Sequence, residues 1–331
     1  MHRLAFCAAL AVLFLADAWA AWQRSAPPRF RASVDQIVVF ASVVDERGQL
    51  VSGLTRDEFR IYEDRVEQDV TSFAQTEVPS TIGLVIDTSG SMRNKIQQVE
   101  QAVGLFLDQN NPQNELFLIR FDHRVEQVEG FTPEVEDIRD AVGNLIPRGG
   151  TALWDALYLS VEEAAAGNEP KKVIILFTDG EDKDSFYRQD EAVAKVQESE
   201  VQVFVVAFLD EDLNERGGFF GLFRSERDKV QKSLTEVAEV TGGRTFFPQR
   251  IDELDSVFEE IAHELKNQYR ISYVSSNSSR DGEWRRIDVQ LDAAREKGYK
   301  VRARKGYYAV GGDAPTASQP PPTDSPATGI P

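Results

Sequence analysis

Short apolar runs alternate with amphipathic stretches through the middle of the chain. Residues 82–86, 116–121, 173–177 and 201–208 are apolar segments of strand length, the pattern of strands buried on both faces. Between them, 95–107, 152–166 and 190–198 carry apolar residues at helical spacing. Ile251, Leu254, Val257, Phe258, Ile261 and Leu265 form one more helical stripe over 251–266. Strands alternating with helices predict an α/β domain over 80–267 with a doubly wound, mostly parallel sheet. Residues 124–130 depart from that pattern. Only a tight turn separates them from the run before, so they are expected to form one antiparallel edge strand.

Both flanks change to strand patterning. Over 34–76, a β-branched run at 37–44 leads to a turn at Asp45-Glu46-Arg47-Gly48. The alternating Phe59-Arg60-Ile61-Tyr62 then meets a second turn, Glu63-Asp64-Arg65, before 68–73. Over 268–310 the segments 269–275, 284–291 and 299–308 read the same way. Each flank offers about three strands, the minimum for independent stability. Together they predict one small β-sandwich into which the α/β domain is inserted.

The ends are different again. His2 and Arg3 precede an apolar run over 4–15, and Ala18-Trp19-Ala20 puts small residues at a cleavage position. Residues 1–20 are therefore expected to be a secretory signal, too short in its apolar part to anchor the chain in a bilayer. Residues 311–331, rich in Pro, Ser, Thr, Gly and Ala, are expected to be a disordered tail. The single cysteine, Cys7, lies in the signal, so the exported chain is expected to lack disulfides and thiolate chemistry. A formal net charge of −18 disfavours nucleic acid and anionic lipid as partners. The basic residues Arg285, Arg286, Arg302, Arg304 and Lys305 read as solvated strand faces. No other segment approaches the length of a membrane span.

The candidate chemistry sits where the first buried strand ends, in Asp87-Thr88-Ser89-Gly90-Ser91-Met92. Ligands of open α/β sheets bind at the carboxyl ends of strands. Alternation of Asp87, Ser89 and Ser91 lets three oxygen side chains converge, and oxygen-only ligation selects a hard cation such as Mg²⁺, Mn²⁺ or Ca²⁺. Gly149-Gly150-Thr151 and Thr178-Asp179-Gly180 reach the same edge. Each element has a plainer reading by itself. Ser89 and Ser91, Thr151, and Asp179 can each be a cap of the helix that follows.

In this combination the chain resembles the von Willebrand factor type A family, whose metal-ion-dependent adhesion site reads Asp-x-Ser-x-Ser, then Thr, then Asp. Asp87, Ser89, Ser91, Thr151 and Asp179 match all five positions, and the resemblance covers about 80–267. The flanks resemble a secreted bacterial group of that family through Val51-Ser52-Gly53-Leu54, Phe59 to Asp64 and Arg304-Lys305-Gly306-Tyr307. The resemblance implies an exported, periplasmic or extracellular adhesion module rather than an enzyme. It would hold one divalent cation, Mg²⁺ foremost, with an open coordination position for an Asp or Glu of a protein partner. Two alternatives stand beside this reading: an accessory or assembly factor of an envelope complex, and a cryptic metal-dependent hydrolase. A hydrolase wants a general base, and after the signal only His123 and His263 remain; His123 reads as a turn residue. No Ser-His-Asp, Gly-x-Ser-x-Gly or phosphate-loop signature occurs.

Two loops add possibilities. Residues 210–229 read as a long connection whose Phe219, Phe220 and Phe223 either fold back onto the core or form a partner-contact patch. Glu181, Asp182 and Asp184 read as a solvated acidic loop or a second cation site.

Overall fold

The computed structural model describes residues 36–180, 182–208, 221–292 and 298–309. The expected signal (1–20), the expected tail (311–331), Glu181, Phe219, Phe220 and the side chain of Phe223 lie outside the described residues.

The chain opens with β1 (Gln36–Val44), β2 (Phe59–Glu63), β3 (Val66–Gln68) and β4 (Val70–Ala74). The central part follows as β5 (Ser80–Asp87), α1 (Ile96–Asp108), β6 (Glu115–Phe121), β7 (Val125–Thr132) and α2 (Val135–Gly143). Next come α3 (Leu153–Ala166), β8 (Lys171–Thr178), α4 (Gln189–Glu198) and β9 (Gln202–Ala207). It ends with α5 (Gly221–Val240), β10 (Thr245–Phe246) and α6 (Leu254–Asn267). The last strands are β11 (Tyr269–Val274), β12 (Trp284–Leu291), β13 (Lys300–Ala303) and β14 (Gly306–Tyr308).

Among the described residues the central sheet has the order β10-β9-β8-β5-β6-β7. Its pairs are parallel except β6 with β7, which lies antiparallel at the edge, as the tight turn before it implies. Every residue of β5 is buried, because helices cover both faces. One face packs Val99, Phe106, Ile138, Val142, Phe258 and Ile261 of α1, α2 and α6. The other packs Leu157, Val161, Val196, Leu234 and Val237 of α3, α4 and α5. Each such side chain, fully buried, contributes about 1.5–3 kcal/mol. Gly83 lets Phe117 of the neighbouring strand cross β5, since a Cβ there would fall 2.2 Å from the Phe117 ring. Among the described residues no helix is long and apolar enough to cross a membrane.

Among the described residues the flanks build two four-stranded sheets, β13-β1-β11-β4 and β14-β12-β2-β3. Each mixes strands from both sides of the central domain: β1 pairs with β11 through Val39↔Ile271, and β2 with β12 through Ile61↔Val289. Their apolar faces share one core, with Val39, Phe59, Ile61, Tyr269, Ile271 and Ile287 buried together. Phe59, Phe73 and Tyr269 cluster with ring centroids 5.0–5.8 Å apart.

Four expectations change. Glu63 is the buried last residue of β2, not part of the turn. The turn is Asp64-Arg65 alone, both at positive φ (48° and 72°), as a tight two-residue hairpin connection requires. The segment 68–73 is two strands in different sheets, parted at Asp69. Three of the basic residues near the C-terminal end are not solvated strand faces, whereas Arg286 and Lys305 are exposed as expected. Arg285 is buried against Asp281 at 2.6 Å, and Arg304 is 3.2 Å from Glu200. Arg302 is 2.7 Å from buried Glu264. Finally, the connection over 210–229 becomes helical from Gly221.

The helix α6 passes into β11 through the extended residue Gln268. There the two parts of the molecule share a buried polar joint. Ser42 donates to Glu264 at 2.7 Å, and Gln268 donates to Ser42 at 3.1 Å. Lys171, at the start of β8, donates to the Leu265 carbonyl at 3.0 Å and lies 5.2 Å from the Phe40 ring centroid.

Candidate metal centre

Parallel pairing in register brings the strand ends to one level, with Asp87 opposite Phe121 and Ile86 opposite Phe177. The loops after β5, β6 and β8 therefore leave the sheet together. They are laced by backbone hydrogen bonds. Thr88 N–H donates to the Phe121 carbonyl at 2.7 Å, Gly90 N–H to Gly149 at 3.1 Å, and Arg148 N–H to Thr88 at 2.7 Å. Gly149 sits at φ 73° in the left-handed region. A Cβ there would meet His123 Nδ1 at 2.7 Å, so glycine serves both the turn and the close approach.

Asp87 is fully buried, and Ser89, Thr151 and Asp179 are nearly so, whereas Ser91 is exposed. Asp87 Oδ1 accepts the Ser89 N–H at 2.8 Å, and Oδ2 accepts the Thr178 hydroxyl at 3.1 Å. Ser89 and Ser91 hydroxyls are 2.9 Å apart. Burial, reinforced by the Asp179 carboxylate, pushes the Asp87 carboxyl up to about 7. Asp179 Oδ1 is buried and without a hydrogen-bond partner.

These features test the donor set for a hard cation. A buried, unpartnered carboxylate oxygen beside a second carboxylate whose charge is disfavoured is a costly arrangement. A divalent ion removes both costs at once, and two carboxylates with three hydroxyls suit Mg²⁺, Mn²⁺ or Ca²⁺. The residues present fit such an ion. Among the described residues no group of three or more His, Cys, Asp or Glu side chains forms an alternative metal cluster.

The capping readings do not hold. Ala152, not Thr151, is the N-cap of α3, and Arg188 caps α4 well beyond Asp179. Ser89 precedes a short 3₁₀ turn and makes no side-chain cap bond. The acidic loop supplies the cap instead, through Asp182 at the first residue of α3, while Asp184 holds the backbone just ahead of the helix. Asp182 accepts the Leu153 N–H at 2.9 Å and Asp184 the Thr151 N–H at 2.9 Å. Both carboxylates are thereby engaged with backbone. The Thr178 hydroxyl orients Asp87, a role marked in the sequence only by its position just ahead of Asp179.

Residues 81–260 match the family model of the von Willebrand factor type A domain. An uncharacterized protein of Synechocystis is 34% identical over 114 residues, which cover 32% of this chain and 26% of that protein. Inter-alpha-trypsin inhibitor heavy chain H4 of Sus scrofa is 30% identical over 115 residues, covering 31% of this chain and 12% of that one. The match thus spans about a quarter or less of these curated relatives. Among solved structures, a von Willebrand factor type A protein from Catenulispora acidiphila is similar at 13% identity and TM-score 0.48, covering 85% of this chain and 73% of its own. Proximal thread matrix protein 1 from the mussel byssus, with a zinc-occupied MIDAS motif, is similar at 18% identity and TM-score 0.47, covering 61% and 49%.

Proposed function

The chain belongs to the von Willebrand factor type A domain family, and from that premise we propose that it is an exported, non-enzymatic module that captures an acidic side chain of a protein partner through a divalent cation. Asp87, Ser89, Ser91, Thr151 and Asp179 would hold the ion, Mg²⁺ foremost. The observation that carries this reading is the buried Asp179 Oδ1 without a partner, set beside Asp87. Bound there, the cation supplies an electrophilic coordination position for an incoming carboxylate. The chain's own part is positioning. Ser89 N–H and the Thr178 hydroxyl fix the two oxygens of Asp87, and the neutral hydroxyls bring ligand atoms without adding negative charge. Export rests on the signal pattern over 1–20, which makes the partner periplasmic or extracellular.

Calorimetric titration of the chain with Mg²⁺ or Mn²⁺ is expected to give a one-site isotherm that Asp87→Ala abolishes. Identical isotherms for the two proteins would sink the assignment. A second expectation concerns metal removal. At a free-ion concentration of 100 times Kd, binding adds about 2.7 kcal/mol of stability. A chelator should therefore lower the melting temperature by roughly 5–10 °C, at about 2–4 °C per kcal/mol, and should leave that of Asp87→Ala unchanged.

A hydrolytic reading has one observation in its favour: His123 Nδ1 lies 2.8 Å from the buried carboxylate of Asp122, as an oriented base would. Turnover of any ester or phosphoester panel that is lost in both Asp87→Ala and His123→Ala would favour it over capture.

A further inference from the structure

Beside the metal loops the chain builds a second charged corner. Asp122, buried just past the end of β6, draws in three basic side chains. His123 Nδ1 is at 2.8 Å, Arg120 Nη1 at 3.2 Å and Arg148 Nε at 3.4 Å. One carboxylate thus faces two guanidinium groups and an imidazole. Arg120 is further engaged by Glu126. Arg148 and His123 are the two that reach solvent, with side chains 63% and 48% exposed. Arg148 meets Asp122 through Nε, which leaves its terminal nitrogens for another acceptor. Asp122 holds the His123 ring by Nδ1, which leaves Nε2 as the other pole.

This corner is part of the metal face. The Arg148 N–H donates to the carbonyl of Thr88, inside the Asp87–Ser91 loop, and the Asp122 carbonyl accepts the Ala152 N–H at 2.6 Å, next to Thr151. His123 rests on Gly149, whose carbonyl accepts the Gly90 N–H. The nearby carboxylates of Asp182 and Asp184 are turned to backbone N–H groups. A chain of formal net charge −18 therefore carries exposed basic groups on the loops that frame its candidate cation. That placement selects an anion.

We propose that Arg148 and His123 form a second anion-binding point beside the cation, so that the preferred partner is an acidic protein segment presenting two carboxylates. One would reach the metal and the other the Arg148–His123 corner. This rests on the metal-bridged capture proposed above, and it adds what that reading lacks, a rule for choosing among acidic partners. A second charge-assisted contact on a solvent-exposed corner should tighten binding about tenfold, with part of the gain lost at high salt.

The test uses the full chain in saturating Mg²⁺ and capped glycine peptides that carry either one Asp or two. The two Asp are separated by one or two glycines, roughly 7–10 Å apart when extended. Calorimetry is expected to show the two-Asp peptide binding about tenfold tighter. Arg148→Gln and His123→Gln should each bring the two peptides closer together, and the double variant should make them equal. In the wild type, NMR should show the His123 ring protons shifting with the two-Asp peptide and not with the one-Asp peptide. Equal binding of both peptides to the wild type overturns the second point and leaves metal capture standing. So does a tenfold preference that survives both substitutions. Failure of both peptides to bind overturns both readings together.

Discussion

Replacing Glu63 by alanine is expected to cost about 3–5 kcal/mol of folding stability. Glu63 is the buried end of β2, and its carboxylate is the meeting point of three hydroxyls. Tyr273 donates to it at 2.8 Å, Tyr307 at 3.0 Å and Ser275 at 2.5 Å. Burial pushes the Tyr307 phenol up to about 12 and raises Tyr273 further, so both tyrosines remain proton donors throughout the physiological range. Alanine removes the only acceptor the three hydroxyls share, and each buried donor left unpaired costs about 1–3 kcal/mol. The sum falls short of three full penalties because Ser275 also bonds with Asn277 and Tyr307 is half-buried. Glu63→Gln keeps an acceptor oxygen and should cost about half as much. Glu63 precedes the central domain in sequence, while its three donors follow it. The substitution therefore strikes the closure of the sandwich by its two separated halves. Urea unfolding of wild type, Glu63→Ala, Tyr307→Phe and the double variant measures this, with a coupling of about 1 kcal/mol expected between the two sites. A cost below about 1 kcal/mol for Glu63→Ala would mean that packing of Phe59 and Ile61 alone closes the sandwich.

The same residue shows where sequence reading succeeds and where it stops. The strands of the central sheet were legible because burial on both faces leaves an apolar run in the sequence, as in 82–86 and 173–177. Insertion of that domain was legible because neither flank has enough strands to stand alone. The candidate site was legible because strand ends, glycines and oxygen side chains recur in one order. Hidden from the sequence were interactions between residues far apart along the chain. Glu63-Asp64-Arg65 reads as a polar turn until Tyr273 and Tyr307 are seen to partner the glutamate. Arg302 reads as solvated until Glu264 is seen beneath it. The strand Thr245–Phe246 is too short to leave a periodic signal. The helix Val135–Gly143 buries only Ile138 and Val142, too few apolar positions to stand out from a polar loop. Asp122 carries no sign of burial in the sequence: Arg120 and His123 lie beside it in the chain, and Arg148 reaches it from a separate loop.

Replacing Lys171 by methionine is expected to stabilise the protein at pH 6 and to flatten its response to pH. Lys171 is buried at the joint between β8, α6 and β1, where its amine donates to the Leu265 carbonyl and sits over the Phe40 ring. Burial pushes the amine down to about 7, against the opposing pull of Glu264 and Glu77. Glu264 offers little compensation, since it is already engaged by Arg302 and Ser42. Below pH 7 the folded chain therefore carries the full cost of an ammonium held out of water. As pH rises from about 7 towards 10.5 the unfolded chain binds one proton more than the folded one, and stability rises with pH. Over that window the wild type should gain on the order of 4–5 kcal/mol relative to Lys171→Met. At pH 6 the variant should lead by about 2–4 kcal/mol, the remainder being lost with the hydrogen bond to Leu265. Urea unfolding of both proteins from pH 6 to 10 measures the difference, which cancels the effect of every other titrating group. Parallel profiles would show that the lysine remains charged in the fold. Glu264 would then be its counter-ion, and Glu264→Gln should destabilise the wild type more than it does the methionine variant.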